Sequence, residues 1–223
     1  MSARWRARNA SLVEERFLLD SPRGGGHLDK KGRGSARTGQ IMSMQSPETL
    51  YVCALDAIDA VVGEARPGHM ISLVNDEVMR ELATPAGIPV HRHLRLTMND
   101  IAEPRAGHIA PASEHVTAIV DFVMSWDREA PVLINCLAGV SRSTAAAFTI
   151  LCALNPQADE AGIARLLREA SPTAQPNRRL VGFADEVLGR EGRMISAADA
   201  IARSAELARA RPFVLPARIS PRD

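Results

Sequence analysis

From Thr49 onward the apolar and polar positions fall into short runs and periodic stretches. Leu50–Leu55 is a short apolar run that predicts a strand, after which Asp56 is placed to cap a helix running to Gly63. His69–Val74 predicts a second strand, and Asp76–Leu82 a short helix broken by Pro85, Gly87 and Pro89. His91–Leu96 alternates polar and apolar, the pattern of a strand with one wet face. Thr97–Ala112, with its prolines and glycine, predicts a loop. Val116, Ile119, Val120 and Val123 then recur at helical spacing, with Ser113 as the expected N-cap and an end near Trp126. Val132–Ile134 is continuously apolar, as expected of a strand buried on both faces. Helices follow over Ser143–Leu154, around Ile163–Ala170, around Leu180–Leu188, and over Ser196–Leu207. Strands alternating with helices predict a single α/β domain with a central, mostly parallel sheet of four to five strands flanked by helices.

Charge divides the chain of 223 residues unevenly. Residues 1–44 hold nine Lys/Arg against four Asp/Glu, whereas the remainder holds eighteen against twenty-two. That first segment also carries both lysines of the protein and the Gly24–Gly26 run, a composition that buries too little apolar surface to offset ordering entropy. We expect 1–44 to be a disordered basic, glycine-rich extension, with Met42 or Met44 as an alternative natural start; 45–190 the folded domain; and 191–223 a C-terminal helix and a Pro/Arg-rich tail from Arg209. No apolar stretch approaches the ~18–20 residues of a membrane span. Three cysteines are too few and odd in number for a disulfide scaffold and fit a reducing, cytoplasmic compartment. A net charge of +1 gives no reason to expect a nucleic-acid partner.

The chemistry concentrates in Asn135–Ser143, N-C-L-A-G-V-S-R-S, between a buried strand and a helix. In open α/β sheets ligands bind beyond the carboxyl ends of strands, where the next helix offers free N–H groups and its positive dipole end. A loop of Leu137, Ala138, Gly139, Val140 and Ser141 can wrap backbone N–H groups around one anion, and Arg142 can close the cradle with a planar fork. A Cys136 thiol at the bottom of such an electropositive cup is expected to be ionised and aimed at phosphorus. Ser143 is placed to donate a hydrogen bond to the departing sulfur. The leaving oxygen needs an acid from another strand-end loop; Asp100 is the first choice, Glu103 the second and Asp76 the third, with Asp121 and Asp127 behind them. Cys53 and Cys152 lack such surroundings and are expected in the core. His91 and His93 have strand spacing that would put them on one face. No third ligand stands nearby, so solvated histidines and no metal site are expected.

The segment VLINCLAGVSRSTAAAF resembles the motif of the cysteine-dependent protein tyrosine and dual-specificity phosphatases, in particular their small bacterial members, over about residues 49–190. The MND segment ending at Asp100 and the SPTAQPN segment with Pro176 and Asn177 extend the likeness. The resemblance implies a fold of the phosphotyrosine phosphatase II type. It implies Cys136 as nucleophile, Arg142 as phosphate clamp, backbone groups of Leu137–Ser141 as the phosphate loop, Ser143 as helper of the leaving thiolate and Asp100 as acid and base. It also gives Asn177 and Asn135 supporting places. Asn135 departs from the family, which usually has His before the cysteine. The implied activity is hydrolysis of phosphomonoesters without a cofactor, on phosphorylated protein or peptide with phosphotyrosine favoured. The loop interior holds no Lys or Arg, which speaks against polyanionic lipids. A phosphopeptide-binding module with little turnover, and a sulfurtransferase or arsenate reductase, remain the alternatives; a reductase needs a resolving cysteine, and Cys152 is badly placed for that.

Overall fold

The computed structural model describes residues 46–201 and 209–219, so the 1–44 extension and the C-terminal half of the Ser196–Leu207 helix lie outside the described residues. Its centre is a five-stranded sheet in the order β3-β2-β4-β1-β5. The strands are β1 (Thr49–Ala54), β2 (His69–Val74), β3 (His93–Thr97), β4 (Val132–Cys136) and β5 (Phe213–Pro216). β1, β2, β3 and β4 pair in parallel and only β5 runs antiparallel, along β1. Every residue of β2 and β4 is buried, as two-sided coverage of a central parallel strand requires.

The helices are α1 (Ile58–Ala65), α2 (Asp76–Glu81), α3 (Ser113–Met124), α4 (Arg142–Leu154), α5 (Glu160–Ala170), α6 (Arg178–Leu188) and α7 (Arg193–Ile201). The larger core, with Ile134, Phe148, Val120, Leu167 and Val181, lies between one sheet face and α3–α7. A smaller core of Cys53, Ile58, Val61, Met70, Ile88 and Leu133 lies under α1 on the other face. α4 is the hub: all but its last residue is buried, and Ala145, Ala146 and Ala147 let neighbouring elements approach closely.

Several local expectations need correction. Leu55–Ala57 form a 3-10 turn that takes Asp56 out of the capping position, and α1 starts at Ile58 with no side-chain cap. Ser113 is the first helical residue of α3 rather than its cap; Nδ1 of His115 accepts the Ala112 N–H instead (3.0 Å). Pro89 precedes a 3-10 turn over Val90–Arg92, so the third strand begins at His93 and His91 is not in it. The largest correction is C-terminal. Residues 213–216, within the expected tail, form the edge strand β5, with Phe213 and Leu215 buried. Alternation over four residues flanked by Pro and Arg was too short to read as a strand.

Candidate active site

Cys136 is the last residue of β4, almost fully buried, and the chain turns there into the loop that opens α4. The polarity of this loop follows from its carbonyls. Leu137 C=O accepts from Leu55 N–H (3.3 Å), and Ala138 C=O from Ala210 N–H (3.0 Å). Val140 C=O accepts from Gln175 N–H (2.9 Å) and Thr144 Oγ1, and Ser141 C=O from Asn177 N–H (3.2 Å) and Ala145 N–H (2.9 Å). Each carbonyl is thus drawn outward by a neighbouring element. In a trans peptide the N–H of the following residue points the opposite way. That geometry turns the N–H groups of Ala138, Gly139, Ser141 and Arg142 away from those partners, the arrangement of a backbone nest. The Gly139 N–H reaches Cys136 Sγ at 3.2 Å.

Gly139 has φ +74°, and a Cβ there would lie 2.9 Å from Ala54 N and 3.0 Å from Cys53 C. Only glycine fits both the left-handed backbone and the packing against the end of β1. Ser143, in the first turn of α4, puts Oγ 3.1 Å from Cys136 Sγ. Arg142 is buried; its Nη1 donates to Met98 C=O (2.8 Å), while Nε is buried with no hydrogen-bond partner and lies 3.7 Å from Asp100 Oδ2. An unpaired, buried guanidinium N–H is a costly feature that an anionic ligand would relieve.

Asp100 stands across the loop on the segment after β3. Its Oδ1 accepts from Ser141 Oγ (2.7 Å) and from Asn177 Nδ2 (2.8 Å). Asn177 also caps α6 by accepting the Leu180 N–H (3.1 Å). The outer part of the Asp100 loop is tied down by Asn99 through both the N–H (2.8 Å) and the C=O (2.7 Å) of Ile109, and by Arg179 Nε on Pro111 C=O (2.7 Å). Leu137, about half exposed, stands at the lip of the loop beside the thiol. The structure therefore brings Cys136, Leu137, Ala138, Gly139, Val140, Ser141, Arg142, Ser143, Asp100 and Asn177 together. Glu103 is exposed on the same loop, Asp76 pairs with Arg80 in α2, Asp121 is exposed on α3, and Asp127 pairs with Arg92 (2.9 Å).

Beneath the loop lies a buried polar chain. Ser72 Oγ donates to Asn135 Oδ1 (2.6 Å), so the proton it receives comes from His93 Nε2 (2.9 Å), and His93 Nδ1 accepts from Thr84 Oγ1 (2.8 Å). Burial, helped by the charge of Arg95, pushes the imidazole of His93 down to about 4, which keeps it neutral. The expectation of two solvated histidines on one strand face is thus corrected: His91 is exposed in the 3-10 turn and His93 is enclosed. Among the described residues no cluster of His, Cys, Asp and Glu could hold a metal ion. Cys53 and Cys152 are fully buried; burial raises the Cys53 thiol to about 12 and pushes that of Cys152 up as well.

Local pattern gave no sign of the Met98 carbonyl, of the side-chain hold of Ser141 and Asn177 on Asp100, or of Ala210. These partners are distant in sequence or act through the backbone.

No protein-family profile and no curated protein matches the chain by sequence. Solved structures do. The crystal structure of DUSP15 is 19% identical and aligns over 70% of this chain and 90% of its own, with a TM-score of 0.50. Human DUSP28 is 16% identical over 70% of this chain and 98% of its own, with a TM-score of 0.49. A mouse putative dual specificity phosphatase, solved with zinc tungstate, is 18% identical over 75% and 98%, also with a TM-score of 0.49. No described helix is long and apolar enough to cross a membrane. In its fold, the five-stranded sheet with its flanking helices, the chain is similar to the DUSP15 crystal structure.

Proposed function

We propose that this protein is a phosphomonoester hydrolase that acts through a phosphocysteine intermediate, with phosphotyrosine in proteins as its favoured substrate. The observation that carries the reading is the placement of Cys136 Sγ under an inward-turned nest of N–H groups. Ser143 Oγ is 3.1 Å from the sulfur, and Asp100 is pinned across the same loop.

In the first step the Cys136 thiolate attacks phosphorus and the bond to the ester oxygen breaks. Asp100 in its protonated form delivers the proton to that oxygen. The nest and Arg142 hold the three equatorial oxygens, where charge gathers in the transition state. In the second step the Asp100 carboxylate takes a proton from water as the water attacks phosphorus. The P–S bond breaks, and the Ser143 hydroxyl donates to the departing thiolate. The substrate preference rests on the lip of the site. Leu137 offers an apolar edge to an aromatic leaving group, and no Lys or Arg stands within Leu137–Ser141 to favour a polyanionic headgroup. A cytoplasmic setting agrees with three unpaired cysteines.

The experiment is phosphate release from a phosphotyrosine peptide without added metal, beside Cys136→Ser. Turnover that vanishes in the serine variant supports the reading. A wild-type protein that binds the peptide without releasing phosphate would replace it with a phosphopeptide-binding role.

A further inference from the structure

Among the described residues, the C-terminal segment that leads into β5 reaches the loop after β4 at Ala210. The N–H of Ala210 donates to the carbonyl of Ala138 at 3.0 Å. That carbonyl belongs to the same peptide unit as the N–H of Gly139, which donates to Cys136 Sγ at 3.2 Å. No peptide in the described chain is cis, so the two groups point in opposite directions from one rigid plane. Whatever holds the Ala138 oxygen outward also holds the Gly139 N–H on the sulfur.

This peptide would otherwise be free to turn over. Rotating it reverses the sign of φ at Gly139, now +74°, and glycine accepts either sign. A turned peptide would take a donor from the thiolate and present a carbonyl dipole to the anion. We propose that Ala210 is a positioning residue whose backbone N–H locks the Ala138–Gly139 peptide in its thiolate-facing orientation, making the C-terminal segment part of the catalytic apparatus. Two further contacts seat this residue. Its side chain is buried 3.2 Å from where a Gly139 Cβ would stand, and its neighbour Arg209 pairs with Asp56 just beyond β1. From there the chain passes into β5, anchored along β1 from Thr49 to Val52.

The inference rests on the proposed nucleophile, so its test reads Cys136 chemistry apart from turnover. Ala210→Pro removes the N–H, while its ring also fixes φ at 210 and restricts residue 209, so Tm is read beside it; Ala210→Gly retains the N–H and serves as the rescue. The readout is the rate of Cys136 alkylation by iodoacetamide across pH, followed by mass spectrometry, with Tm as the folding control. In Ala210→Pro the rate at neutral pH should fall about tenfold or more, the loss of one charge-assisted hydrogen bond. Ala210→Gly should follow the wild type.

Should Ala210→Pro not fold, Asp56→Asn with Arg209→Gln, both exposed sites, loosens the same seat and should slow alkylation in the same direction. A folded Ala210→Pro, or the double variant, that alkylates at the wild-type rate and pH profile overturns the proposal, whatever the turnover. Slowed alkylation together with a wild type that hydrolyses no phosphomonoester would leave the lock standing and remove the phosphatase reading.

Discussion

Replacing Arg142 with lysine keeps the charge and removes the geometry, and the structure gives the size of what is lost. The guanidinium is nearly enclosed, and its Nη1 is already committed to the Met98 carbonyl at 2.8 Å. In the proposed mechanism the remaining N–H groups, with Nε now 3.7 Å from Asp100 Oδ2, meet two phosphoryl oxygens in parallel. A lysine ammonium has one nitrogen and cannot hold Met98 while presenting a second pair of donors. The Arg142→Lys variant should therefore lose at least one charge-assisted hydrogen bond to the phosphoryl group, about 1.5–3 kcal/mol, which is about 10- to 150-fold in binding or rate. The assays are kcat/KM for an aryl phosphate and the inhibition constant of inorganic phosphate, with Tm measured in parallel. Both constants should worsen by that factor. Tm should also fall, because the buried Met98 carbonyl loses its donor. An Arg142→Lys enzyme within about twofold of wild type in both constants would refute the planar-fork argument.

The other variants probe separate parts of the site. Asp100→Asn still accepts from Ser141 and Asn177 but cannot give a proton; kcat for phosphotyrosine should fall about 100-fold or more and hardly at all for an ester with a very acidic leaving group. Equal losses on both esters would move the acid elsewhere. Gly139→Ala should abolish phosphate binding and lower Tm well beyond Gly107→Ala, which has the same φ of +74° but open space around it. Similar Tm losses would mean that backbone strain, not crowding against Ala54 and Cys53, is what glycine avoids. His93 tests the buried chain by pH. An unfolded histidine takes its proton near 6.5, whereas enclosed His93 takes it only near 4, so folding stability should decline as pH falls through that window. Denaturation of His93→Gln should show a shallower decline, and an unchanged slope would mean that His93 is not the group responsible.

What was legible in the sequence follows from the range of the forces involved. β2, β4, α4 and the loop between β4 and α4 are set by local periodicity, by continuous apolar runs and by glycine and helix-start chemistry, all of which lie within a few residues. Cys136, Arg142 and Ser143 could be placed because strand, loop and helix follow one another without interruption. Asp100 could be placed on the right edge by topology, but not its hold. Ser141 is 41 residues away and Asn177 is 77, and no local pattern couples them. His93 was misread because an alternating hexapeptide looks like a half-wet strand, whereas Pro89 and the 3-10 turn shift the strand start and bury that ring. β5 and Ala210 were missed for a plainer reason. An edge strand of four residues has little periodicity, and a backbone N–H leaves no mark in the side-chain sequence.

The proposed reaction passes through a covalent phosphoryl group on one sulfur. Rapid acid quench of the enzyme mixed with an aryl phosphate, followed by peptide mass spectrometry, reads it directly. One added phosphoryl group is expected on the peptide that contains Cys136, accumulating further in Ser143→Ala, where loss of the sulfur from phosphorus is slowed. Turnover with no phosphoryl group on Cys136, in either enzyme, would contradict it.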